Sequence, residues 1–251
     1  MNAYSSLEAS LHDVFWATEG PSLELPLLRD FLQYHQGRSL EIGCGSGRLL
    51  VPLIEEGFEV EGLELSAEML DLCRKNHPNV AAVLHQGNMS EWQTDQPYDS
   101  IIIPAFTLQL SPDPPATLRH IASLLVSGGA LYFSTFTPLA EIVGELPENE
   151  WYADHFSPVA EDRIATVHTR HQIDREAQVL IREHHYQILD DAGRTVAEHH
   201  SQQHIRWHTR QQWKKQLADA GFEIEKQIPD FKPKRQSLAQ AQILSTIARK
   251  L

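Results

Sequence analysis

Cysteine is scarce in this chain of 251 residues. The only two, Cys44 and Cys73, form no Cys-x-x-Cys pair. Such usage is typical of a protein from a reducing compartment and argues against a zinc ribbon.

Long apolar runs are also missing. The run Ile101–Ile103 stops at Pro104 and is far shorter than the roughly 20 residues that a membrane-spanning helix needs. The first residues, MNAYSSLEASLHDVFW, lack the basic and apolar regions of a secretory signal. We therefore expect a soluble, cytoplasmic protein without a membrane partner.

Basic residues are outnumbered by acidic ones. The chain has 21 Lys and Arg against 34 Asp and Glu, a formal net charge of −13. Because phosphate binding needs a cationic face, this balance argues against nucleic acid as a partner. It also argues against an anionic membrane surface.

Short apolar segments alternate with amphipathic ones between residues 39 and 135. Strands are predicted at Ser39–Ile42, Phe58–Leu63, Val80–His85, Tyr98–Ile103 and Ala130–Thr135, and helices at 47–56, 66–76 and 114–126. The last of these helices is predicted to stop at Gly128-Gly129. This alternation predicts an α/β fold with a parallel, doubly wound sheet.

The pattern differs on either side of this region. Two short helices are predicted within residues 1–36, and antiparallel strands at 163–174, 177–189 and 194–207, with a turn at Asp190–Gly193. A helix at 209–220 and strands at 222–228 and 239–249 follow. The predicted organisation is therefore a helical lid (1–36), an α/β core (37–149), an antiparallel β insert (150–208) and a segment that completes the core (209–251).

A glycine-rich loop follows the first strand of the core. The run Leu40–Gly47 reads LEIGCGSG, with glycines at 43, 45 and 47. A dinucleotide fingerprint, G-x-G-x-x-G, would need a third glycine where Arg48 stands. A nicotinamide-dependent oxidoreductase is therefore disfavoured.

This loop, with Glu41 before it, resembles motif I of the class I S-adenosylmethionine-dependent methyltransferases. Four later segments resemble further motifs of the same family, in order and at compatible spacing. They are the run Gly62–Ser66 with Glu64, Gln86–Met89, Tyr98–Phe106 and Leu125–Leu131. The resemblance implies a Rossmann-like sheet of seven strands whose last strand is antiparallel.

The resemblance implies S-adenosylmethionine as cofactor and S-adenosylhomocysteine as product. It assigns Glu64 to the ribose hydroxyls and Asn88, where the family usually has Asp, to the adenine. Arg48 could pair with the methionine carboxylate of the cofactor or with an acidic side chain such as Glu41. The predicted cofactor-binding residues are Glu41, Gly43, Gly45, Gly47, Arg48, Glu64, Leu65, Met69, Asn88, Met89 and Ala105.

The acceptor is predicted to be a small molecule methylated on N or O by in-line displacement. The fourth strand exits as Ile-Pro-Ala-Phe and lacks the Asn/Asp-Pro-Pro-Tyr/Phe signature of enzymes that methylate base amines or glutamine amides. His155, then His12, are the candidate bases. The candidate acceptor-binding residues are Phe15, Trp16, Phe106, Trp151 and Tyr152.

Two further questions stay open in the sequence. The same pocket could serve another sulfonium reaction or only bind the cofactor, and the chain could be a monomer or a homodimer formed through the insert. Of the 14 histidines, nine lie between residues 155 and 208. His200, His204 and His208 would lie four residues apart on one strand, with roughly 13 Å between neighbours, too far to share one ion. A metal would need histidines from neighbouring strands, and we expect no metal site.

Overall fold

The computed structural model describes residues 4–18, 20–234, 237–238 and 241–251. Its helices are α1 (Ser6–Trp16), α2 (Leu25–Tyr34), α3 (Leu50–Glu55), α4 (Ala67–Asn76), α5 (Pro114–Leu124), α6 (Leu139–Val143) and α7 (Arg210–Asp219). Its strands are β1 (Ser39–Ile42), β2 (Val60–Glu64), β3 (Leu84–Gln86), β4 (Tyr98–Ile103), β5 (Leu125–Phe136), β6 (Tyr152–Ala160), β7 (Arg163–Asp174), β8 (Val179–Asp190), β9 (Thr195–Arg206), β10 (Phe222–Pro229) and β11 (Ile243–Lys250). A turn of 3₁₀ helix covers Thr107–Leu110.

The larger sheet has seven strands in the order β10-β11-β5-β4-β1-β2-β3. Strand β11 is antiparallel to both of its neighbours, and the pairs from β5 to β3 are parallel. The predicted Rossmann-like sheet with an antiparallel last strand is therefore confirmed. Ile101, Ile102 and Ile103 of β4 are fully buried, since helices cover both faces of a sheet of this kind.

Each face of this sheet carries its own core. On one face, α5 and α7 contribute Leu118, Ile121, Trp213 and Leu217. On the other face, helices α2, α3 and α4 pack leucines and Phe31 against the same strands. Within the described residues, no helix combines the length and apolar character needed to cross a bilayer.

The predicted helix stop at Gly128-Gly129 is wrong. Helix α5 ends at Leu124, and β5 begins at the next residue and runs through both glycines. A Cβ at Gly129 would lie 3.1 Å from the carbonyl oxygen of Asp99. This glycine therefore allows close approach of β5 to β4 and does not end a helix.

The four-stranded sheet is an antiparallel meander in the order β6-β7-β8-β9. The sequence did not predict β6, which contains Pro158 and has register shifts beside it. Proline is tolerated there because β6 is an edge strand. β3 is shorter than predicted, and residues 239–240 of the predicted last strand lie outside the described residues, as do 1–3 and 19 of the predicted lid.

Helix α1 packs between the two sheets. Its Leu11 and Phe15 are buried against Ala165, Val167 and Tyr186 of the four-stranded sheet. Its polar side contacts the α/β core, as described below. The predicted division into four segments remains a prediction, with α1 and α2 in the first segment and β6 to β9 in the third.

Gly47 allows the start of α3 to pack against α4. Its φ is +89°, and a Cβ there would lie 2.7 Å from Cys73 Sγ and 2.8 Å from Val51 Cγ2. Gly57 has a similar φ of +91°, but a Cβ there would meet nothing within 4 Å. The two glycines therefore share a left-handed backbone and differ in the space around them.

We expect Gly47→Ala to destabilise the fold more than Gly57→Ala. Both substitutions strain a left-handed backbone, at a cost of roughly 1–2 kcal/mol. Only Gly47→Ala adds overpacking, which typically costs another 1–3 kcal/mol. Urea unfolding of both variants measures the difference. Equal losses would show that the space beside Gly47 accepts a methyl group.

Candidate active site

The carboxyl ends of β1, β2, β3 and β4 meet at one edge of the larger sheet, where ligands bind in folds of this kind. A cavity opens there, which we call the core cavity. Its wall contains most of the predicted cofactor-binding residues, namely Glu41, Gly43, Gly45, Arg48, Glu64, Leu65, Met69, Met89 and Ala105.

The glycine loop forms the floor of the core cavity. Gly43 and Gly45 have φ values of +78° and +54°, which glycine adopts without steric cost. A Cβ at Gly43 would lie 2.6 Å from Thr107 Cγ2. The loop therefore lies directly against the segment that leaves β4.

Glu64, the last residue of β2, is held by backbone donors. The Gly45 N–H donates to its Oε2 (3.1 Å) and the Ser66 N–H to its Oε1 (2.8 Å). Burial raises the pKa of Glu64, and these hydrogen bonds oppose the shift. Each carboxylate oxygen keeps a second lone pair for a ligand hydroxyl.

Glu41 is a deeply buried ionisable group in the wall of the core cavity. It is only 1% exposed, and its Oε2 has no hydrogen-bond partner among the described residues. Burial raises its pKa well above the usual range, although Arg48 counteracts this. The guanidinium of Arg48 lies 4.1 Å from the ring centroid of Trp16.

The segment after β4 has a strained backbone. Ala105 and Phe106 have φ values of +51° and +64°, which non-glycine residues rarely adopt. The Ala105 N–H donates to Oε2 of the buried Glu24 (3.0 Å), and the Tyr132 hydroxyl donates to Oε1 (3.0 Å). Glu24 thus fixes the backbone where Ala105 lines the core cavity.

Two predicted cofactor residues, Gly47 and Asn88, are not in the described wall of the core cavity. Gly47 faces the α3–α4 packing described above. Asn88 closes a turn, since its Oδ1 accepts from the Ser90 N–H (3.0 Å). The neighbouring Gly87 lines the core cavity instead.

A second cavity of about 350 Å³ lies between α1 and the four-stranded sheet. We call it the insert cavity. Helix α1 contributes Glu8, His12, Phe15 and Trp16, and Tyr4 precedes the helix. The sheet contributes Asp154, His155, Val167, Arg182, His184, Tyr186 and Gln203.

The two cavities share part of their walls. Tyr4, His12 and Trp16 line both. The structure therefore brings together His12, His155, Phe15 and Trp16 of the predicted acceptor region. His155 lies only in the insert cavity, with its ring 5.6 Å from that of Phe15.

Several titratable groups line the insert cavity. Burial raises the pKa of Glu8, against hydrogen bonds from Ser201 and Gln203. Burial lowers the pKa of His184 to about 4, so this imidazole is neutral at pH 7. Burial also raises the pKa of Tyr4 to about 12, and this phenol stays protonated.

His12 is held by its neighbour Asp13. The Nδ1 of His12 lies 2.9 Å from Asp13 Oδ1, and the Ser46 hydroxyl donates to the same oxygen. The Asn76 amide donates to Oδ2 (2.9 Å). Burial alone would raise the pKa of Asp13, but the bonds from His12, Ser46 and Asn76 lower it.

The structure does not place Phe106, Trp151 or Tyr152 in the described walls of either cavity. The positive φ of Phe106 accompanies a ring contact with Phe136, 5.0 Å away. Trp151 precedes β6 and lies under the guanidinium of Arg170 (4.8 Å). Tyr152 is 37% exposed.

Sequence reasoning missed Tyr4 and Thr107, which line the core cavity. Glu8 and His12 are spaced by four residues, which places side chains on one helix face, so that spacing could have identified Glu8 of the insert cavity. Tyr4 precedes α1 and lies outside this periodicity. No comparable signal marked Thr107, whose position depends on the turn after β4.

Comparison with known proteins identifies the family. Residues 23–227 match the family model described as a methyltransferase domain. The dTDP-3-amino-3,6-dideoxy-alpha-D-glucopyranose N,N-dimethyltransferase of Streptomyces fradiae is 28% identical over 235 residues, which are 88% of this chain and 86% of that protein. The ubiquinone biosynthesis O-methyltransferase of Sodalis glossinidius is 31% identical over 134 residues, only 48% of this chain and 53% of that protein.

A solved structure has the same fold over the whole chain. The amino pentose methyltransferase of Micromonospora echinaspora, with S-adenosylmethionine bound, superposes with a TM-score of 0.70 at 20% identity. The superposition covers 100% of this chain and 99% of that one. The family model covers most of the chain. The chain therefore belongs to the methyltransferase domain family, the class I S-adenosylmethionine-dependent methyltransferases, as its motifs predicted.

Proposed function

We propose that this methyltransferase acts on the nitrogen of a small amine that binds in the insert cavity. The observation that carries the proposal is the wall shared by the two cavities, formed by Tyr4, His12 and Trp16. A molecule in the insert cavity would contact the same three side chains as a ligand in the core cavity.

The core cavity has the donor and acceptor set that the cofactor needs. The unpartnered Oε2 of Glu41 fits the amino group of the cofactor, because a buried carboxylate is stabilised by an opposite charge. Glu64 would accept from the ribose hydroxyls, and Arg48 would face the cofactor's carboxylate. Gly43 and Gly45 allow close approach to the backbone. When bound, S-adenosylmethionine supplies a methyl group activated by its sulfonium.

Two carboxylates favour an amine over a phenol in the insert cavity. Glu8 is buried and Asp154 lies on β6, and both line the cavity. A carboxylate attracts an ammonium ion and opposes formation of a phenolate. The relatives support this choice, since the N,N-dimethyltransferase aligns with 88% of the chain and the O-methyltransferase with only 48%.

We assign the amine proton to His12, because this histidine lines both cavities. An alkylamine has a pKa of about 10 and arrives protonated. It must lose this proton before its nitrogen has a lone pair to share. Since Asp13 lies at Nδ1 of His12, the proton of a neutral imidazole resides there, and Nε2 is left as the acceptor.

Release of S-adenosylhomocysteine from the purified protein tests the acceptor class. We expect turnover with small amines, amino sugars among them, and none with matched phenols. Mass spectrometry should place the new methyl on nitrogen.

Glu64→Ala is the control for the acceptor screen. Loss of hydrogen bonds worth about 1.5–3 kcal/mol should weaken S-adenosylmethionine binding roughly 10- to 150-fold. Turnover of phenols without amines would overturn the proposed acceptor. Cofactor binding without turnover of any acceptor would favour a binding role.

His12→Ala should slow methylation of a protonated amine by about 10²- to 10⁴-fold in kcat/KM at pH 7. The deficit should shrink as the pH rises towards the pKa of the amine, because the acceptor then arrives deprotonated. Rates measured across this pH range check both statements.

The matched comparison for His12 is His155→Ala, which removes an imidazole from the insert cavity alone. It should raise KM more than it lowers kcat. A larger fall in kcat for His155→Ala than for His12→Ala would assign the base to His155 instead.

A further inference from the structure

Three metal-ligating side chains meet on the four-stranded sheet. His185 of β8 lies directly opposite His200 of β9, and Glu198 lies two residues before His200. Side chains alternate along a strand, so all three lie on one face. Directly opposed residues have Cβ atoms about 4.5–5.5 Å apart.

The ligand atoms are already close together. One atom each from His185, Glu198 and His200 lie within 4.8 Å of one another. His185 Nε2 is 3.2 Å from Glu198 Oε2. In a tetrahedral zinc site with bonds of about 2.0–2.1 Å, two ligands are about 3.3 Å apart, so this pair already has the required separation.

The two imidazoles would have to turn out of their present stacking to share one ion. Their rings are stacked with centroids 4.0 Å apart and planes 10° from parallel. His200 and Glu198 are exposed, and their side chains can adjust by rotamer changes alone. This exposure also lets an ion enter and lets water complete its coordination.

We propose that His185, Glu198 and His200 form a binding site for a divalent first-row transition-metal ion. Two imidazoles and a carboxylate are the ligand types that zinc takes in three-ligand sites. The ion would link β8 to β9. This revises the expectation of no metal, because the ligands come from neighbouring strands and not from one strand.

The site is separate from the candidate active site. None of the three residues is in the described walls of the core cavity or the insert cavity. On its other side, His185 pairs with His168 of β7. His168, His185 and His200 therefore form a row across three strands. The proposal therefore does not depend on the acceptor or on the proposed function.

Calorimetric titration of the metal-stripped, full-length protein with zinc chloride tests the site. We expect saturable binding of one ion per chain. His200→Ala should weaken it by more than the roughly 10- to 100-fold that loss of even an outer-sphere partner costs. Glu198→Gln, which keeps the side-chain size, should also weaken it.

His204→Ala is the matched control. His204 is an exposed histidine on the same strand and face, but roughly 13 Å from His200 along the strand. The His204→Ala variant should bind zinc with the same affinity as the unaltered protein. Zinc should raise the melting temperature of the unaltered protein and of His204→Ala, and not that of His200→Ala. No binding, or equal affinity in all variants, would overturn the proposal.

Discussion

The docking of α1 between the two sheets is the contact on which both cavities depend. Asp13 accepts hydrogen bonds from Ser46 in the glycine loop and from Asn76 at the end of α4. One turn earlier, Glu8 accepts from Ser201 and Gln203 of β9. The helix thus has polar contacts with the α/β core and with the four-stranded sheet, and Leu11 and Phe15 add an apolar contact with that sheet. Without this docking, both cavities would lose the wall formed by His12 and Trp16.

Two buried carboxylates near the site, Glu24 and Glu41, differ in their hydrogen bonding. Glu24 and Glu41 are both almost fully buried, and burial raises the pKa of each. Glu24 is satisfied by Tyr132 and Ala105 and acts within the fold. Glu41 has an oxygen that finds no hydrogen-bond partner in the described part of the chain, and an unsatisfied buried oxygen costs free energy. A cationic ligand group would remove that cost at Glu41, whereas Glu24 already has its partners within the fold.

The parts that could be predicted from sequence were those that local pattern determines. The strand β1, the loop with Gly43 and Gly45, and Glu64 at the end of β2 are set by short-range spacing. The wrong or missed features depend on contacts between distant segments. Gly129 is required by the close approach of β5 to β4, which are distant in sequence. The pairing of His185 with His200 depends on strand register, which no single segment contains.

The two cavities also differ in how they are built. The core cavity is built by loops that leave the central strands, where Gly43 packs directly against Thr107. Much of the insert cavity is built by side chains of one sheet face, such as Asp154, Arg182 and His184. Alternate residues on a strand face the same way, so these side chains can change without altering the backbone of the core. Among the described residues, Tyr4, His12 and Trp16 line both cavities, so a substitution at any of them changes both walls at once.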